Sequence, residues 1–226
     1  MDEVIELYNK KKLIVRATDV PERYAIRGKL KYNCSTWANE FAQMMNDDFD
    51  SVSCTLLIPG VGVRTYKDVG FLVNSDKAII EHIASSDSIS SGRVKNGTFG
   101  AIKSDYNTIE ELANYIERSG STIMNEVNLG IPFNAVVGLV FNKCDKIFKI
   151  KKMIIVRECL YRLCDIYYDL YEYDNKVGKI RRFDITDDLI DELFSNPNDI
   201  TDFSYSTDYM DEIENGNILS GKEFTR

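Results

Sequence analysis

The sequence predicts an α+β protein, with a β-sheet core, flanking helices and a helical, acidic C-terminal extension. Three observations lead there. Strand-like segments bounded by turn residues recur through residue 142. Stretches with apolar residues at helical spacing are set among them and dominate beyond residue 150. The 226 residues, 44% of them hydrophobic, can bury a sizeable core in one good-sized domain with an appendage. The expected organisation is a core domain over residues 1–142, a helical extension over 143–195 packed on it, and an acidic tail over 196–226.

The first expected strand is Lys12 to Ala17, which has the charged Arg16 near its end and leads toward a turn at Pro21. Ser35 or Thr36 then caps a helix in which Trp37, Phe41, Met44 and Met45 fall at helical spacing. Ser51 to Ile58 reads as a strand ending at the Pro59-Gly60 turn. Val69 to Val73 and Ala78 to Ile83 read as a hairpin or strand pair around Asn74-Ser75-Asp76-Lys77. Ser85 to Gly100 has little to bury and reads as a long loop of the kind that borders binding sites. Thr108 and Glu111 form a capping-box pattern for a helix to Arg118. Met124 to Leu129 and Ala135 to Phe141 follow as strands. Leu160, Leu163, Ile166, Tyr167 and Leu170 share one face of an expected helix over Ile154 to Tyr171, and Asp184 to Phe194 reads as a shorter helix.

The net charge of −8 is unevenly placed. Residues 183–226 hold 12 acidic and 2 basic side chains, a net of −10, so residues 1–182 keep 24 acidic and 26 basic, a net of +2. A nearly neutral body does not exclude nucleic acid as a partner. Lys143 to Arg182, basic and interleaved with tyrosines, fits either a stacking surface for nucleic acid or a helix with its tyrosines in the core. Five cysteines without a regular framework, and no signal-like apolar start, point to a cytoplasmic working compartment, in the producing cell or in a target cell. No window approaches the roughly 18 apolar residues of a membrane span.

One histidine, His82, limits His-centred catalysis to a dyad with Cys34, whose thiolate a helix start would favour. The apolar setting of His82, Ile79 to Ile83, favours a structural role instead. There is no Cys-x-x-Cys pair for zinc, and Pro59-Gly60-Val61-Gly62 lacks the Lys-Ser/Thr and helix of a phosphate loop.

Four segments together resemble the ADP-ribosyltransferase superfamily, Arg-Ser-Glu class. They are Leu13-Ile14-Val15-Arg16-Ala17-Thr18, Ser35-Thr36-Trp37 leading into Ala38-Asn39-Glu40-Phe41-Ala42, the weaker Val69-Gly70-Phe71-Leu72-Val73, and Asn125-Glu126-Val127 followed by Ile131-Pro132. The resemblance spans residues 12–142 and implies a split mixed or antiparallel sheet. It further implies an NAD-dependent mono-ADP-ribosyltransferase of toxin or phage type, with NAD as co-substrate. Glu126 would be the catalytic carboxylate, Arg16 the pyrophosphate ligand, and Ser35, with Thr36 beside it, the brace for Glu126 and the ribose. Such an enzyme needs no metal and no membrane. Its partners would be a macromolecular acceptor, protein or nucleic acid, and for a toxin an inhibitory partner such as an antitoxin. Met124 stands where arginine-modifying members carry Gln or Glu, which points to acceptors other than arginine. The competing readings are a Cys34/His82 thiol hydrolase or protease, and an inactive interaction protein of the same fold.

Overall fold

A computed structural model describes residues 2–18, 25–26, 29–30, 52–65, 69–86, 104–119, 125–131, 133–143, 150, 153–154, 157 and 167–193. The chain opens with a helix, α1 (Glu3–Asn9), capped by Asp2, whose carboxylate accepts from the Ile5 amide at 3.1 Å. Lys11, at φ 60°, turns the chain into β1 (Leu13–Thr18). A two-stranded ribbon, β2 (Ala25–Ile26) and β3 (Lys29–Leu30), stands apart from the main sheet. The remaining strands are β4 (Val52–Leu56), β5 (Val69–Asn74), β6 (Ile79–Ala84), β7 (Glu126–Gly130), β8 (Val136–Asn142), β9 (Leu170–Asp174) and β10 (Lys179–Arg182). Two further helices are α2 (Ile109–Ser119) and α3 (Asp187–Leu193).

Eight strands form one ladder in the order β10-β9-β8-β5-β1-β4-β7-β6, so the architecture is α+β with a mixed sheet. β8 and β9 run parallel and the other adjacent pairs antiparallel. The ladder cannot be flat. β5 and β6 lie four strand positions apart, about 19 Å in a flat sheet, yet only Ser75 to Ala78 join them. The turn closed by Lys77 N–H on the Asn74 carbonyl shortens that link further, to about 14 Å at most. β7 and β8, also four positions apart, are joined by residues 131–135. The sheet therefore curls until its two halves enclose a core.

That core holds Ile14, Leu56, Phe71 and Val73 from one half, Ile83, Val127 and Leu129 from the other, and Leu112, Ala113 and Ile116 from α2. A second core lies on the opposite face, where α1 sets Val4, Leu7 and Tyr8 against Leu13, Val15, Leu72, Tyr171 and Tyr173. Leu13, Ile14 and Val15 alternate between the two, which is why β1 is apolar without interruption.

The cap of α2 forms at Thr108 as expected, with the Glu111 carboxylate reaching one residue further back than in a strict capping box, to Asn107. The Glu111 amide donates to Thr108 Oγ1 at 3.2 Å, and the Glu111 carboxylate accepts from the Asn107 amide at 2.8 Å. Pro59-Gly60 is a turn, with Gly60 at φ 75°, a left-handed value that glycine adopts without strain.

Three expectations change. Asn74 to Lys77 is a turn but not a hairpin, because β5 pairs with β1 and β8 while β6 pairs with β7. The helix expected to reach Tyr171 has given way by residue 167. Leu170 to Asp174 is a strand buried on both faces, with Leu170 in one core and Tyr171 and Tyr173 in the other. The segment 143–195, expected as a helical extension, thus adds two strands to the sheet as well as helix, with Leu139 opposite Leu170. The expected helix at Trp37 to Met45, most of the Ser85 to Gly100 loop and the acidic tail lie outside the described residues.

Burial sets an alkaline limit on this fold. Desolvation pushes the Cys54 thiol from 9.0 up to about 12 and the Tyr173 hydroxyl from 10.0 up to about 12. Tyr8 is also raised by burial, and Tyr171 by burial and then by its hydrogen bond to Asp2. Each group holds its proton more tightly folded than unfolded, so the unfolded chain ionises first and stability falls as pH rises through 9. Urea midpoints measured at neutral pH and at intervals above pH 9 are expected to decline; a flat profile to pH 12 would contradict the assignment.

Candidate functional site

β4 changes partners along its length. Its C-terminal half pairs with β1, Ile14 opposite Leu56 and Val15 opposite Thr55. Its N-terminal half pairs with β7, Val52 opposite Leu129, Ser53 opposite Asn128 and Cys54 opposite Val127. β1 meanwhile continues along β5 as far as Thr18 opposite Val69. Past Val15, then, β1 and β4 part, and the sheet splits.

The Arg16 side chain spans this split, its guanidinium donating to the Ser53 carbonyl at 2.9 Å. The backbone of Arg16 is held by close approach to β5. A Cβ on Gly70 would lie 2.2 Å from the Arg16 carbonyl oxygen, a distance no side chain tolerates, so glycine is required there.

On the other side of the split, Asn125 fastens β7 to β4. Continuing the register from Cys54 opposite Val127 puts Asn125 opposite Leu56, and its carboxamide takes the place of a backbone pair. Oδ1 accepts from the Leu56 amide at 2.8 Å and Nδ2 donates to the Leu56 carbonyl at 3.1 Å, both fully buried. Glu126, the next residue, is only 4% exposed, and its carboxylate accepts from Ser53 Oγ at 2.8 Å. Ser53 therefore joins the two charged residues, its carbonyl to Arg16 and its hydroxyl to Glu126. Both charges also act on the buried Cys54 thiol beside it: burial raises its pKa most, Arg16 opposes the rise and Glu126 adds to it.

Directly opposed residues of paired strands point to one face. Ser53, Thr55, Glu126 and Asn128 accordingly share the face opposite Cys54, Leu56, Val127 and Leu129. His82 joins them through a bulge. Ile80 is opposite Leu129 but His82 is opposite Asn128, so the extra residue, Glu81, turns His82 onto the polar face and leaves Ile83 in the core. His82 is 3% exposed, with Nδ1 3.4 Å from Ser104 Oγ. The result is a buried row of polar groups, an arrangement that costs free energy unless each finds a partner.

Of the residues singled out in the sequence, Arg16 and Glu126 come together across the split, and Cys34, Ser35 and Thr36 lie outside the described residues. A hydroxyl that does donate to the Glu126 carboxylate among the described residues is that of Ser53. Its signal was alternation at a strand mouth, where Ser53 and Thr55 interleave with the apolar Cys54 and Leu56. In the basic, tyrosine-rich stretch, Tyr168, Tyr171 and Tyr173 are buried, while Tyr167 is exposed with Arg157 over its ring at 4.7 Å. A separate groove of about 730 Å³ beside the start of α2 is lined by Lys10, Lys11 and Lys12, which pair with Glu6, Glu117 and Asp76. Among the described residues no cluster of His, Cys, Asp or Glu is placed to hold a metal ion, and no helix is long and apolar enough to cross a membrane.

Chemically, the split combines a guanidinium suited to a phosphate or carboxylate with a buried carboxylate suited to a cationic or hydroxyl-bearing centre. No protein-family model matches the chain, and comparison with curated proteins finds no significant relative.

If the Asn125 carboxamide holds β7 in place, Asn125→Ala leaves the Leu56 amide and carbonyl unsatisfied and costs about 2–4 kcal/mol. Asn125→Asp, nearly the same shape, is expected to cost a similar amount because its carboxylate faces the Leu56 carbonyl. Denaturant titration measures both; an Asp variant as stable as wild type would contradict the clamp.

Proposed function

We propose that the chain is an ADP-ribosyltransferase-like enzyme that cleaves the nicotinamide–ribose bond of NAD and transfers ADP-ribose to a macromolecular acceptor. The observation that carries this reading is the bridge at the split, Arg16 to the Ser53 carbonyl and Ser53 Oγ to Glu126. It places an Arg, a Ser and a Glu, in that sequence order, on three successive strands of the ladder, β1, β4 and β7.

The chemistry asks for those groups. As the glycosidic bond breaks, nicotinamide leaves with the bonding electron pair and the ribose becomes oxocarbenium-like, as in glycoside hydrolysis. A fixed carboxylate stabilises that cation and accepts from the ribose 2′-hydroxyl. Glu126 takes this role, and Ser53 holds its carboxylate so that little reorganisation is needed. Arg16 draws the pyrophosphate to the opening. An acceptor nucleophile then adds to the ribose carbon and loses its proton.

Acceptors other than arginine, a different protein side chain or a nucleic-acid base, follow from Met124. The role is that of a cytoplasmic toxin, effector or phage–host interference factor, with the acidic stretch 183–226, net −10, available to a basic partner or to an inhibitory partner such as an antitoxin.

Purified protein incubated with NAD labelled in both halves, with lysate or RNA as acceptor, is expected to release nicotinamide and label a macromolecule. Glu126→Gln is expected to lower the rate about 10²–10³-fold, the scale of removing one preorganised electrostatic group. No release by wild type, or a Glu126→Gln variant equal to wild type, would overturn the proposal.

A further inference from the structure

We infer that Asn128 recognises the carboxamide of the leaving nicotinamide, a specificity role that rests on the NAD reading above. Asn128 is 1% exposed, and among the described residues neither its Nδ2 nor its Oδ1 has a hydrogen-bond partner. A buried carboxamide in that state costs a few kcal/mol, and a bound group with a matching donor and acceptor would offset that cost. The same strand provides the contrast. Three residues earlier, Asn125 satisfies both its carboxamide atoms on Leu56.

Position narrows what completes Asn128. It lies on the Glu126 face, two residues along an extended strand, about 6.6 Å at the usual rise. Ser53 and His82 stand opposite it on the flanking strands. A ligand whose ribose meets Glu126 brings to Asn128 the group bonded to that ribose carbon, the pyridine ring with its carboxamide. A planar amide offers one donor and one acceptor side by side, the complement of Asn128 Nδ2 and Oδ1.

The test compares kcat/KM for pyridine release from NAD and from its nicotinic acid counterpart, in which a carboxylate replaces the carboxamide. Wild type, Asn128→Leu and Asn128→Asp are measured as full chains, together with the melting temperature of each without ligand. The wild type is expected to favour NAD, and Asn128→Leu to shrink that preference about tenfold, the scale of one lost hydrogen-bonded pair. Asn128→Asp is expected to weaken turnover of both dinucleotides and to reject the nicotinic acid form most, through repulsion between carboxylates. The melting temperature of Asn128→Leu is expected to equal or exceed that of wild type, because the substitution removes two unpartnered polar atoms.

An unchanged preference in the variants would overturn the inference and leave the NAD reading standing. A sharp loss of stability in Asn128→Leu, or failure of that variant to fold, would show that the chain already partners the amide and would overturn it too. Wild-type protein that releases nothing from either dinucleotide would overturn the NAD reading itself.

Discussion

The structure depends on one constraint: β4 must serve two partners. A strand that paired along its whole length with β1 would leave no opening, and Arg16 and Ser53 would sit in an ordinary ladder. The hand-over at Cys54 and Thr55 is held open from the β7 side by the Asn125 carboxamide, which continues the ladder to Leu56 where β7's own backbone has ended. From the β1 side it is held by Gly70, which lets β5 grip the Arg16 backbone closely. Sheet curl, forced by the short link between β5 and β6, then brings the two halves around a common core. The opening is thus a product of the whole topology and not of a local loop.

The polar row along this split runs against the rules that govern the rest of the sheet. On the opposite face the same strands contribute Cys54, Leu56, Val127 and Leu129 to a dry core. On the split face they contribute Ser53, Thr55, Glu126 and Asn128, all at least half-buried, and a bulge is spent to bring His82 there as well. Proteins accept such local conflicts mainly where function requires them. Glu126 is bonded by Ser53 and Asn125 by Leu56, and Asn128 is the member with no hydrogen-bond partner among the described residues.

How much of this could be read from the letters varies with the range of the interaction. β1, β5 and β8 were legible because their apolar runs are short-range signals, and the cap of α2 because Thr108 and Glu111 meet within one turn. The strands that carry Arg16 and Glu126 were legible from their local apolar patterns. Ser53 was not, since its importance comes from which strands flank β4, a non-local fact. The same holds for the turn at Asn74 to Lys77: turn chemistry is local, but the choice of pairing partner is not. β9 was misread because Leu170 and Tyr171 fit helical spacing as well as they fit a strand buried on both faces. The face that His82 takes was not legible, because a one-residue bulge reverses every face assignment after it.

The central claim is that Arg16, Ser53 and Glu126 act as one unit, with Ser53 setting the carboxylate that meets the ribose. A double-mutant cycle of Ser53→Ala and Glu126→Gln on nicotinamide release tests it most directly. The account expects Ser53→Ala alone to slow release about tenfold or more, and the double variant to be scarcely slower than Glu126→Gln alone, because the hydroxyl acts through the carboxylate. Strictly multiplicative losses, or a Ser53→Ala variant with wild-type rates, would contradict it.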